Sequence, residues 1–355
     1  MNPDQLADLS NLSVVIAIVL YVLALIGFTA DLARTTQVRS DARLAARERV
    51  GARSGAAHVV TSGSGGTGTL TLERPTEGDG DGPGKAPAVA APAQPGGLSA
   101  RQFGVLMATL GVVLHLLGMV LRGVATSRVP WGNMYEFAMT GSAVVVVLFL
   151  LLSARRRELQ ELAVFVMGPA LVLMFLAQTL WIVPAAQLTP SLQNSHWLVI
   201  HVLVAILSSA LFTLGAVVAA LQLAASRHEA ALAAGRAAHW GRFGAVLDRL
   251  PGSRELEALS FRIHAIAFVG WTFTLIAGAI WANYAWGRPW NWDPKEVWTF
   301  VIWVVYAAYL HARATQGFRG NRAAWFALAG FACIIVNFTI VNTVINGMHS
   351  YSGLT

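Results

Sequence analysis

The chain has 355 residues, 55% of them hydrophobic and 12% charged, with a formal net charge of +7. An average soluble domain carries about 25% charged residues, so this balance excludes an ordinary soluble protein and points to a membrane protein. The single Cys333 excludes an internal disulfide, a CxxC redox pair and a CxxCH motif within the chain, and reads as a small apolar residue in the last span.

Apolar runs near the length that crosses a bilayer, roughly 17 to 25 residues, lie at 12–30, 103–124, 134–153, 162–183, 197–225, 261–282, 297–313 and 323–346. They predict an all-α polytopic membrane protein of about eight transmembrane helices. The first run is too long for a signal peptide and lacks a basic leader and small-residue cleavage site, so residues 1–33 read as a retained first helix. Residues 54–98 are dense in Gly, Pro, Ala, Ser and Thr and hold almost no large apolar side chains. Such a segment cannot bury enough surface to offset its ordering entropy, and 34–100 is expected to be a disordered Gly/Pro-rich cytoplasmic linker in which His58 has no role. The seven-helix remainder, 101–355, holds the chemistry.

Orientation follows from Lys and Arg, which cytoplasmic loops retain. Nine lie from Arg34 through Arg101, three at Arg155 to Arg157, six from Arg227 to Arg262, and three at Arg313, Arg319 and Arg322; the opposite side has only Arg122, Arg128, Arg288 and Lys295. Both termini are therefore expected outside. The positive charge reads as topology, scattered over separate loops, and requires no nucleic-acid partner. Residues 226–260, interrupted by "LPGS", are expected to form surface helices, with His228 and His239 solvated among charges.

Three outer segments lead into helices: "VPWGNMYEFAMTG" at 129–141, "PAAQLTPSLQNSHW" at 184–197 and "WANYAWGRPWNWDPKEVW" at 281–298. In the last, Asp293, Pro294 and Glu296 spell a helix start: an acidic cap, proline at the first position, a carboxylate at the third. An interfacial aromatic belt accounts for one or two tryptophans. It accounts poorly for five in eighteen residues, sharing a loop with Arg288, Asp293, Lys295 and Glu296. A platform of indoles suits a flat, largely apolar ligand with polar edges.

His201 lies about a turn and a half into the fifth span, and His349 just beyond the eighth, so both ends bracket the Trp-rich loop. Ionisable groups at membrane depth are costly and are functional candidates. Two neutral imidazoles on opposite sides of a plane are what a six-coordinate haem iron takes; two His with a carboxylate also suit zinc or non-haem iron, though those sites favour tighter clusters. His311 ends the seventh span on the cytoplasmic side, where it ligates something or snorkels. His264 and His115 lie within spans, and His196 reads as an interface residue.

The 281–298 stretch, with "GNMYEF" at 132–137, "YLHAR" around His311 and "GMHSYSG" around His349, resembles the tryptophan-rich haem-handling family of cytochrome c biogenesis proteins, in its CcsA (ResC) branch. The resemblance covers about 100–355. It implies transport of haem b, held non-covalently by bis-His ligation, and its presentation for thioether attachment to the CxxCH of apocytochrome c. It implies a plasma-membrane site facing outward, a CcsB (ResB)-like partner subunit, a thiol-reducing partner, and membership of a holocytochrome c synthase. By the same resemblance His201 and His349 are the axial ligands of an outer haem, and Trp281, Trp286, Trp290, Trp292 and Asp293 form the platform beneath it. His311 becomes an inner ligand completed by another subunit, and no residue is implied as catalytic. Arg288 and Lys295 are candidate partners for the haem propionates or solvated loop cations. The competing reading is a multi-span transporter of an amphipathic small molecule, but inverted repeats with broken spans are not found. An intramembrane hydrolase would want a His-Glu-x-x-His pair, and none is present.

Overall fold

The structure, a computed structural model, describes residues 1–56, 97–186, 196–236, 240–315 and 317–349, with side chains undescribed at 35–56 and 241–242. His58, His239 and most of the expected linker fall outside the described residues. The helices are α1 (Pro3–Ala56), α2 (Ala100–Thr126), α3 (Met134–Arg155), a 3-10 turn (Arg157–Leu162), α4 (Ala163–Leu180), α5 (His196–Ala233), α6 (Gly241–Leu247), α7 (Ser253–Trp286), α8 (Pro294–Thr315), α9 (Asn321–Phe338) and α10 (Ile340–Thr343). Among the described residues there is no strand, and eight helical segments are long and apolar enough to cross a membrane, one for each expected span. The chain is a multi-pass, all-helical membrane protein.

Helix α1 runs on to Ala56, past the start of the segment read as a linker, because 34–50 is rich in Ala and Arg, good helix formers, and has no Gly or Pro. Its membrane part packs on α2 through a 3.5-residue repeat: Ser10, Val14, Ala17, Tyr21, Ala24 and Phe28 are buried, as are Gly104, Ala108, Gly111, His115, Gly118 and Arg122 on α2. The α2 glycines admit the larger α1 side chains: a Cβ on Gly111 would come within 2.7 Å of the Tyr21 ring, and one on Gly118 within 2.8 Å of Val14.

Helices α5 and α7 pack antiparallel with the same device used reciprocally. His201 on α5 lies over Gly278 on α7, His264 on α7 lies over Gly215 on α5, and Ser208 meets Gly270 midway. Helix α5 divides the core. One face joins Ala210, Leu214 and Val218 to the side chains of α1 to α4, while the other joins Phe212 and Ala219 to α7, α8 and α9, with Phe212 stacked on Tyr306 at 4.0 Å. At the arginine-rich end, Arg101 and Arg249 both bond Glu161 and Asp31, tying α1 and α2 to the 3-10 turn and to the turn after α6. His228, expected to be solvated, is buried, because its Nε2 meets Asp248 Oδ1 at 2.9 Å and its ring packs on Trp240.

Candidate functional site

At the Trp-rich end, α3 and α4 diverge from α7 to α9 over the floor of α5, leaving a mainly apolar cavity of about 550 Å³. Cofactor and ligand sites run from roughly 300 to 1,000 Å³.

Its rim is built by helix ends. Helix α7 stops at Gly287, whose φ of 72° is a left-handed C-cap, its N–H donating to Asn283 O. After a short loop, α8 opens on Pro294: Asp293 Oδ1 accepts from the Lys295 amide at 3.0 Å, and Glu296 Oε2 reaches back to the Asp293 amide at 3.2 Å. This is the reciprocal capping read from "WDPKE". The segment beyond α10 folds back over that cap. Gly347 passes so close that a Cβ would lie 2.5 Å from Asp293 Oδ2; the Met348 amide donates to Oδ2, and His349 Nδ1 lies 2.9 Å from Oδ1. Burial alone raises the Asp293 carboxyl, but the hydrogen bond and electrostatics of His349, with the amides of Lys295 and Met348, outweigh it and hold the pKa below its ordinary value.

His201 is fixed from within the bundle. Its Nδ1 lies 2.9 Å from Thr274 O, its ring rests on Gly278, and Trp281 stacks beside it at 6.2 Å and 12°. Trp281 is also edge-on to His349 at 5.8 Å, and Trp286 approaches the same imidazole at 4.9 Å. The structure thus brings His201, His349, Trp281, Trp290 and Lys295 to the lining of one cavity, with Trp286 behind. The indoles make no single flat sheet. Trp281 and Trp286 meet at 67° and Trp290 and Trp292 at 84°, the edge-to-face geometry that aromatic quadrupoles favour.

Trp292 is 76% exposed, does not line the cavity, and adopts φ 58°, a left-handed conformation unfavourable for a bulky residue. Arg288 is exposed, donating to Asn291 Oδ1 at 2.8 Å. Lys295 turns inward instead, its ammonium donating to Asn337 O at 2.8 Å and Asn342 Oδ1 at 2.7 Å. His311 is exposed at the far end of α8, away from this cavity, and His196 is exposed at the start of α5. His115 and His264 are fully buried, each with an Nε2 lacking a partner. Among the described residues no three His, Cys, Asp or Glu side chains gather as a metal site.

Sequence reasoning missed the supports. Thr274, Gly278 and Gly347 carry no chemical signal of their own; only helical register places Gly278 one turn before Trp281. It also missed a buried charge node. Asn133 caps α3, accepting the Glu136 amide at 2.8 Å, and Glu136 in turn accepts Arg122 Nε at 2.8 Å, an Arg128 guanidinium N–H at 2.7 Å and the Gly132 amide at 2.7 Å. Both arginines also bond carbonyls after α4, at Val183 and Ala186, so the node holds the cavity wall at Val129 to Asn133. The signal was there in "NMYE" and in two arginines on a side otherwise short of charge.

The sequence model of the family described as "Cytochrome C assembly protein" matches residues 131–349. Proteins named cytochrome c biogenesis protein CcsA are similar to this chain. One from Prochlorococcus marinus strain MIT 9312 is 41% identical over 177 residues, 47% of this chain and 57% of that protein. That from strain MIT 9515 is 31% identical over 70% of this chain and 83% of its own length, and that from strain MIT 9303 is 32% identical over 72% and 86%. With its cavity inside the matched region, the chain belongs to the cytochrome c assembly protein family as a CcsA-type cytochrome c biogenesis protein.

Proposed function

We propose that this chain holds haem at its Trp-rich end and presents it for covalent attachment to apocytochrome c on the extracytoplasmic face of the plasma membrane, as one subunit of a holocytochrome c synthase. The observation that carries this reading is the pair of imidazoles lining one cavity, each with Nδ1 tied to an oxygen: His201 to Thr274 O and His349 to Asp293 Oδ1. A histidine whose Nδ1 is tied to a carbonyl or carboxylate has its ring held in one orientation, the usual support of a metal-bound imidazole. The donor set therefore fits haem iron.

His201 and His349 would hold the haem iron. Trp281, Trp286 and Trp290 supply the apolar wall, and Asp293 orients His349. No carboxylate stands within ion-pair distance of the Lys295 ammonium among the described residues. It is suited to a haem propionate, with Arg288 a second candidate at the rim. Attachment adds each substrate thiol across a haem vinyl group, sulfur to one carbon and the proton to the next, so the chain needs no nucleophile of its own. Trp292, turned outward, is left to meet the apocytochrome.

His311 is the candidate inner ligand, completed by a CcsB-like partner. Support comes from α8, the least apolar of the eight spans and the least covered by the rest of the chain. Its exposed stripe of Phe300, Val304, Ala308 and His311 is better matched to a protein surface than to lipid alone. The charge distribution between loops supports outward-facing termini.

The test is the absorption spectrum, oxidised and reduced, of the chain purified with its partner. Bis-imidazole haem bands are expected. They should vanish in the His201→Gly, His349→Gly double variant and return with imidazole in the buffer. Unshifted bands in the double variant refute the ligand assignment.

A further inference from the structure

The cavity has two unlike ends. Its charged and imidazole side chains, Lys295, Glu296, His201 and His349, all stand at the Trp-rich end. Further along α5 the cavity reaches Thr213, twelve residues from His201. At 1.5 Å per residue that is about 18 Å of helix, more than half of a hydrocarbon core about 30 Å thick. The deep wall is made of Val145, Leu173, Ala210, Phe331 and Ile334. Two of its hydroxyls are spent within their own helices, Ser142 on Met139 O at 2.9 Å and Thr213 on Ser209 O at 2.8 Å. Such a wall is poor for water and good for an apolar body.

The deep end is open at the side. Helices α4 and α9 flank it, and Val172 on α4 and Ile335 on α9 both line the cavity while remaining 60% and 48% exposed. Aromatic contact between the two walls comes from Phe338, which meets Trp181 at 5.4 Å and Phe137 at 5.6 Å, nearer the Trp-rich end. Phe338 is also the α9 residue that packs on the α1 to α4 core. It forms a bridge with a gap beneath it.

Resting on the haem reading above, we propose that this gap between α4 and α9 is a side entrance from the bilayer, through which haem slides edge-on along α5 to the imidazoles. The chemistry of the two ends supports the passage: the apolar depth takes the porphyrin body, and its carboxylates meet a cation, Lys295, at the Trp-rich end.

The test uses the full chain in lipid vesicles and follows the rise of the bis-imidazole spectrum. Haemin is supplied either dissolved in the bilayer of donor vesicles or bound to serum albumin in the buffer. A Cβ on Gly141 would meet no atom within 4 Å, so Gly141→Phe fills the passage, while Val172→Trp fills its mouth. Phe175→Trp, on an exposed α4 residue that does not line the cavity, is the control. Loading from the bilayer should slow at least tenfold in both filled variants, with the final amplitude of Val172→Trp and the rate of Phe175→Trp at wild-type values. The buffer arm should slow less. Unslowed bilayer loading in both variants, or equal slowing in both arms, overturns the side entrance while leaving haem presentation standing. Failure of the wild type to acquire the spectrum from either source overturns both.

Discussion

Replacing Asp293 by Asn tests how the tail of the chain is held. One carboxylate serves three donors: Oδ1 takes the Lys295 amide and His349 Nδ1, and Oδ2 takes the Met348 amide. An amide in its place offers one oxygen and turns an NH2 toward whichever donor faces its other end. Leaving a buried donor unpaired costs about 1–3 kcal/mol, so opening of the segment around His349 should become roughly 5- to 150-fold more frequent. Hydrogen–deuterium exchange of the Met348 amide, in full-length protein in nanodiscs, reads this directly. Haem affinity should fall about 10- to 100-fold, as for lost supports of metal ligands. Acid adds a second reading. Because the folded-state pKa lies below the ordinary value, the stability Asp293 contributes is complete above the unfolded carboxylate pKa of about 3.9 and is lost as pH falls through the folded one. That acid slope should flatten in the Asn variant. Wild-type Met348 protection together with an unchanged acid slope would refute the account.

A Cβ at Gly278 would stand 2.7 Å from His201 Cε1; Gly278→Ala should lower haem affinity about 10- to 100-fold in a spectral titration, whereas Gly168→Ala, with open space around it, should not. Glu136→Gln leaves two guanidiniums sharing a neutral amide in a fully buried site and should cost about 3–5 kcal/mol, seen as a large drop in thermal unfolding temperature. Trp292→Gly relieves a left-handed tryptophan, about 1–2 kcal/mol, but gives up its edge contact with Trp290, about 0.5–1.5 kcal/mol, so thermal stability should change little, with haem binding unchanged and thioether attachment to apocytochrome c slowed; lost haem binding would place its indole at the haem instead. His311→Ala, at an exposed helix end, should spare folding and the outer-site spectrum while removing haem that depends on the partner subunit.

The spans were legible because bilayer thickness fixes a length that composition alone reveals, and each apolar run met a helix. The "WDPKE" start was legible for a similar reason: caps are local, and Asp293, Pro294 and Glu296 declare theirs within four residues. What stayed hidden was non-local. Nothing near Gly278 in sequence announces an imidazole 77 residues earlier in the chain lying against it. Glu136 entered only within the "GNMYEF" resemblance, and nothing near it in sequence shows that two arginines from before α3 close on it. His228 misled because charged neighbours in sequence suggested water, while the turn after α6 brings Asp248 to its ring.

The two imidazoles are held by unlike devices, and under the proposed function the difference bears on which of them would exchange with the histidine of an incoming CxxCH. His201 sits on a helix whose backbone is paired throughout, pressed between Gly278 and Trp281 and bonded to a carbonyl of the neighbouring helix. Displacing it means parting α5 from α7, which are packed through glycines at three levels along their length. His349 lies beyond the last helix, and its anchor is the Asp293 carboxylate with the adjacent Met348 amide. Releasing it opens a short segment, an event drawn from the low-stability end of a protein's motions. Under the proposed bis-imidazole ligation, this asymmetry would let the helix-borne histidine keep the register while the tail-borne one gave way to a substrate histidine.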